Sequence, residues 1–125
     1  MTDPAYERGM KVRREVLGDE HVDGAIEGAT ELTADFQDLI TRYAWGEIWT
    51  RPGLDRRTRS AITLTALIAA GRLEELAMHL RAARRNGLSD DEIKEVLLQS
   101  AIYCGVPAAN AAFALAKRVL EEDAG

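Results

Sequence analysis

An all-α fold is predicted for this chain by three features of its sequence. Apolar residues recur at i, i+3, i+4 and i+7 through most of its length. N-capping residues and terminal glycines punctuate the periodic stretches, and no convincing run of alternating β-branched residues marks a strand. The 125 residues include only three prolines, so helices have room to run. About six helices in a single domain spanning residues 1–125 are expected.

The first helix is predicted over Tyr6 to Leu17, ending at Gly18. From Asp19 to Glu31 the chain is polar and contains glycine, which suggests a turn of helix followed by a loop. The next helix starts near Thr33 and places Phe36, Leu39, Ile40, Tyr43, Ala44, Glu47 and Ile48 on one face, with Pro52 and Gly53 ending it. Asp55 is a suitable N-cap for a third helix reaching Ala70, whose last turns are apolar on most sides and predict a central, buried position. Gly71 separates it from a fourth helix, Leu73 to Asn86, closed by Gly87. Ser89-Asp90-Asp91-Glu92 reads as a capping box, opening a fifth helix with Ile93, Val96, Leu97, Ser100, Ala101 and Cys104 on its inner face. Pro107 then suits the first turn of a final helix containing AANAAFALA, whose small side chains allow another helix to come close. Modest size together with this alanine-rich end predicts oligomerisation.

Composition excludes several classes. Hydrophobic residues make up 46% and charged residues 30%, the balance of a globular chain rather than a disordered one. A net charge of −5 argues against nucleic-acid binding, which favours broad positive surfaces. The longest apolar run, Ala61 to Ala70, is too short to span a bilayer. MTDPAYERG at the start carries no hydrophobic segment, and a single cysteine permits no intrachain disulfide, so a reducing cytoplasm is the expected compartment.

The stretch TRYAWGEIWTRPGLDRRTRS, Thr41 to Ser60, is the most informative for function. It sets Glu47 on the predicted apolar face between Trp45 and Trp49, and Arg51, Arg56, Arg57 and Arg59 follow. A carboxyl group among aromatics beside concentrated positive charge suits a site for an anionic organic acid. Desolvation there would raise the Glu47 pKa, whereas an ion pair with Arg51 one turn later would give it a structural role. His79, one turn after Glu75 at the edge of the Leu76, Leu80, Ala83 face, reads either as a backbone-bonded histidine or as a proton donor near neutrality. Arg59 lies one turn before Ile62 on a face predicted to be buried, while Arg56 and Arg57 point elsewhere. Arg81, Arg84 and Arg85 read as a solvated face, Cys104 as a small buried hydrophobe, and His21 as too isolated to interpret. Trp45 suits a core or an interface as well as a site, and Tyr103 is placed to reach a site or an interface.

Three segments, GMKVRREVLGDEHVD, ITRYAWGEIWTRPGLDRRTRS and HLRAARRNGLSDDEIKEVLLQSAIYCGVPAANAAF, resemble the 4-carboxymuconolactone decarboxylase family across nearly the whole chain. The last segment alone is shared with the wider alkylhydroperoxidase-like helical fold. The resemblance implies a bundle assembling into trimers or hexamers and a cofactor-free, metal-free enzyme. Its dianionic lactone substrate would lose carbon dioxide in the protocatechuate branch of the β-ketoadipate pathway. The redox branch of that superfamily carries Cys-x-x-Cys-x-x-x-His with an upstream glutamate. Aligning its histidine with His79 puts Arg72 and Glu75 at the cysteine positions and Ser60 at the glutamate, so no thiolate is available for a peroxide. The resemblance favours His79 as acid or oxyanion donor and Glu47 in proton transfer; helical spacing favours Arg51 and Arg59 as the carboxylate clamp, with Trp45 and Tyr103 as aromatic candidates against substrate.

Overall fold

A computed structural model describes residues 3–124, so Met1, Thr2 and Gly125 of the expected 1–125 domain lie outside the described residues. The described residues form seven α-helices and one π-helix, with no strand. The order is α1 (Pro4–Leu17), α2 (Asp19–Glu27), α3 (Ala34–Ile40), a π-helix (Thr41–Ile48), α4 (Arg56–Ala70), α5 (Leu73–Arg85), α6 (Asp90–Tyr103) and α7 (Val106–Ala124). Two compact units divide the chain, one up to Leu54 and one from Asp55.

In the first unit, Asp3 caps α1 by accepting a hydrogen bond from the Ala5 backbone N–H at 3.0 Å, with Pro4 pre-set for the first turn. The helix packs against the π-helix with almost no side chain between them. A Cβ on Gly9 would stand 1.9 Å from the Thr41 carbonyl oxygen, and one on Gly46 would stand 2.3 Å from that of Ala5. Val12, Val16, Leu17, Val22 and Trp45 are the buried apolar side chains of this unit.

That contact corrects two expectations. Residues 34–48 do not form one α-helix: the backbone widens to i→i+5 bonding from Thr41, as in the Trp49 N–H to Ala44 carbonyl bond of 3.0 Å. The buried side is Thr41, Trp45 and Gly46, whereas Phe36, Leu39, Tyr43 and Ile48 are exposed on the chain. A 3.6-residue pattern identifies an apolar stripe but not the surface that covers it.

The second unit is built around Leu64, Ile68, Leu76, Leu80, Ile93, Leu97, Ala112 and Val119. Asp55 caps α4 through the Thr58 N–H at 2.8 Å, and Gly71, at φ +71°, ends it in the left-handed conformation that glycine adopts without strain. Only one side of α4 is buried: Leu64 and Ile68 face the core, but Ile62 is 53% exposed, which corrects the expectation of a fully buried central helix. The capping box is present at α6, with Ser89 and Glu92 bonded reciprocally at 3.1 and 2.9 Å. Arg57 donates to the Gly87 carbonyl and to the Glu92 carboxylate, tying the start of α4 to the start of α6. Arg84 is not a solvated side chain: it holds Asp90 through two hydrogen bonds of 2.8 and 2.9 Å and Asp123 at 3.0 Å, so α5, α6 and α7 meet on one guanidinium.

Replacing Gly9 with alanine should destabilise the protein by more than about 2 kcal/mol, because backbone rather than a movable side chain occupies the space. Gly24→Ala, where a Cβ meets nothing within 4 Å in the middle of α2, should leave stability equal or higher. Urea unfolding of the two variants checks both. Backbone hydrogen bonds hold Asp55 and Glu92 below their ordinary values of 3.8 and 4.5, with Ser89 and then Arg57 acting on Glu92. Their contribution to stability is therefore complete above the ordinary carboxylate range and disappears as pH falls through the lowered folded values. Calorimetry from about pH 7 to about pH 3 should show a declining melting temperature whose acid limb is shallower in Glu92→Gln.

Candidate functional site

The residues expected to act fall in both units. In the first unit, Trp45, Glu47 and Arg51 belong to the π-helix and the turn after it. Trp45 is buried, and its ring centroid lies 5.1 Å from that of Trp49 at an interplanar angle of 30°. Glu47 is not among the aromatics on a buried face, as the α-helical period required. Its side chain is 57% exposed and pairs with Arg8 at 3.4 Å, because α1 covers the opposite side of the π-helix. The expected burial of Glu47 among aromatic rings is therefore absent. Arg51 is exposed just beyond the π-helix, where its backbone N–H bonds the Ile48 carbonyl at 3.0 Å. π-Helical turns frequently coincide with functional sites, and this one carries two of the expected residues, Trp45 and Glu47.

In the second unit, His79 stands on α5 and Arg59 on α4, two helices that pack together. His79 is half-buried. Its helical neighbours Leu76, Ala82 and Ala83 are fully buried, so the ring leaves α5 at the boundary of the core. Arg59 is also half-buried, although Ile62, one turn on, is exposed, so its face is not the closed one expected. Tyr103, at the end of α6, is 81% exposed. It lines a cavity of about 630 Å³ with Ile62, Thr65, Ser100 and others, a cavity to which neither His79 nor Arg59 contributes. Thr65 and Ser100 are 3.2 Å apart within it, bridging α4 and α6. Cys104 is half-buried against the core, and His21 is exposed on α2. Among the described residues, no group of three or more His, Cys, Asp and Glu side chains is arranged to hold a metal ion.

The model of the "Carboxymuconolactone decarboxylase family" matches residues 34–118, from the start of α3 into α7. The chain belongs to the carboxymuconolactone decarboxylase family. Over 117 residues it is 49% identical to a 4-carboxymuconolactone decarboxylase of Acinetobacter baylyi, covering 94% of this chain and 87% of that protein. It is 42% identical over 117 residues to a nitrosuccinic acid decarboxylase of Metarhizium robertsii, covering 94% of this chain and 82% of that one. A 4-carboxymuconolactone decarboxylase of Pseudomonas putida is 50% identical over 42 residues, 34% of this chain and 88% of that protein.

Ser60 is buried and accepts a 2.8 Å hydrogen bond from Asn86, joining α4 to the end of α5. Arg72 and Glu75 lie in the exposed start of α5. No described helix is long and apolar enough to cross a membrane.

Because both partners of the Arg8–Glu47 pair are more than half exposed, Glu47→Gln should change stability by no more than about 1 kcal/mol. Chemical unfolding of the variant checks this, and a fall in turnover at unchanged stability would then report on chemistry at Glu47.

Proposed function

We propose that the protein decarboxylates 4-carboxymuconolactone to 3-oxoadipate enol-lactone without a cofactor, as a single-domain cytoplasmic homo-oligomer, trimer or hexamer. The observation that carries the reading is family membership, with a decarboxylase of that lactone 49% identical over 94% of the chain. Exposed apolar side chains, such as Phe36 and Tyr43 in the first unit and Ile102 and Tyr103 in the second, support assembly with further copies.

When the ring carboxylate leaves as carbon dioxide, the electrons of the broken C–C bond move through the ring double bond onto the lactone carbonyl. A dienolate forms, and protonation of the carbon α to that carbonyl gives the enol-lactone. His79 serves as acid or oxyanion donor, half-buried at the core boundary and partly shielded from water. A preorganised donor at such an oxyanion contributes about 3–4 kcal/mol, and a positioned general acid about 10²–10⁴-fold. Glu47 assists proton transfer as an accessible carboxylate that returns protons from solvent. Arg51 and Arg59 bind the two carboxylates by paired N–H donation, with Trp45 and Tyr103 against the ring.

A second reading concerns the acid accepted. The nitrosuccinic acid decarboxylase relative, 42% identical over the same length, favours a site that tolerates other dicarboxylic acids with an electron-withdrawing group. Loss of carbon dioxide beside a nitro group leaves its electrons on nitro oxygens, which need the same donor and the same cationic clamp.

The deciding experiment supplies freshly generated 4-carboxymuconolactone, with chelator and no added cofactor, and follows lactone loss and carbon dioxide release together. Rapid turnover is expected; a folded protein that turns over nitrosuccinate but not the lactone would establish the second reading. In the same assay His79→Ala should lower kcat by about 10²-fold or more with little change in KM, whereas Arg59→Ala should chiefly raise KM. Near-normal kcat in His79→Ala would remove histidine from the mechanism.

A further inference from the structure

The first unit contains a cavity of about 420 Å³ that none of the residues assigned above to the lactone lines. Arg13 is in its wall and is only 4% exposed. The guanidinium has two neutral partners: Nη1 donates to the Thr41 hydroxyl at 3.1 Å and Nη2 to the Gln37 side-chain carbonyl at 3.0 Å. Nε is buried and makes no hydrogen bond. Two carboxylates share the lining, but each is engaged elsewhere, Asp3 with the Ala5 N–H and Asp38 with Arg42 at 2.8 Å. Among the described residues, no carboxylate lies within ion-pair distance of Arg13.

A buried guanidinium stays charged, and leaving it without a counter-ion is destabilising, so a bound anion would restore stability. Desolvation accordingly lowers the Arg13 pKa from its ordinary value. Of its five N–H donors two are used and Nε–H is sealed from the cavity, which leaves one hydrogen on each Nη for a ligand. That pair suits a carboxylate accepting from both Nη groups. Met10, Ala25, Ile26, Ala29 and Ala34 in the lining have no polar side chain, and Tyr6 adds an aromatic ring with one hydroxyl. Most of the lining, Asp3 to Ala29, precedes residue 34, where the family match begins.

We propose that this cavity binds a small monocarboxylic acid with a compact apolar or aromatic body, its carboxylate paired with Arg13 and its body against the Met10–Ile26 wall. The site is independent of the lactone reading.

Benzoate is the probe, with benzamide as its neutral counterpart, measured by calorimetric titration and by the shift in melting temperature. Saturable benzoate binding with a raised melting temperature is expected, and benzamide should bind at least about tenfold more weakly. Gln37→Glu places a carboxylate against Nη2 without disturbing the packing. This variant should melt at or above the parent temperature and bind benzoate at least about tenfold more weakly. Arg13→Met should also lose benzoate binding if it folds. The absence of saturable binding to the parent protein overturns the proposal, as does equal binding of benzamide. Undiminished binding by Gln37→Glu would place benzoate at another site, and a lower melting temperature in that variant would mean that Arg13 needs no counter-ion; either result overturns it too.

Discussion

Backbone touching backbone at Gly9 and Gly46 is the constraint on which the first unit depends. Two helices approach this closely only where neither carries a Cβ, and here each glycine faces a carbonyl of the opposite helix. Once α1 occupies that side, Thr41 and Trp45 turn inward and the apolar stripe of Phe36, Leu39 and Tyr43 turns outward. The same geometry sends Glu47 into solvent beside Arg8. It also encloses Arg13, which is fixed between Thr41 and Gln37 on the far side of the contact. The position of the expected carboxylate, the exposed apolar surface and the buried charge therefore share one cause.

The second unit uses a different device. Its core is aliphatic, but charged and polar bridges set how its helices meet at their ends: Arg57 to Gly87 and Glu92, Arg84 to Asp90 and Asp123, Asn86 to Ser60. Such bridges act at helix termini, where unpaired backbone groups and capping carboxylates already concentrate. In the middle of α5, His79 leaves the helix beside the buried Leu76, Ala82 and Ala83.

What was legible in the sequence were the features governed by local chemistry. Gly18, Asp55, Gly71 and the Ser89–Glu92 box end or begin helices where expected, because a cap depends on a few adjacent residues. Family-level segments were legible for the same reason, as contiguous strings. The π-helix was not, since its i→i+5 bonding responds to the approach of α1 and leaves no periodic trace in eight residues. Arg84 looked like one of three surface arginines because its partners, Asp90 and Asp123, come from two other helices. Arg13 gave no signal, since a charged residue followed by Arg14 inside an otherwise polar helix normally faces water. Its burial was visible only in three dimensions.

Decarboxylation of a lactone acid and of a nitro acid looks like two chemistries but makes one demand of a protein. In both, electrons released from a carboxylate collect on an electronegative oxygen across a short conjugated path, and in both the substrate carries a second carboxylate. An oxygen-directed donor, a proton source and a guanidinium clamp satisfy that demand whichever electron acceptor is present. Discrimination then depends on the shape of the site around the acceptor, where one missing or added group typically changes binding by about 1–3 kcal/mol. A family holding relatives named for both acids at 42% and 49% identity is consistent with this division. Residues that handle charge need not change when the substrate does. Side chains that touch the ring or its replacement carry the choice.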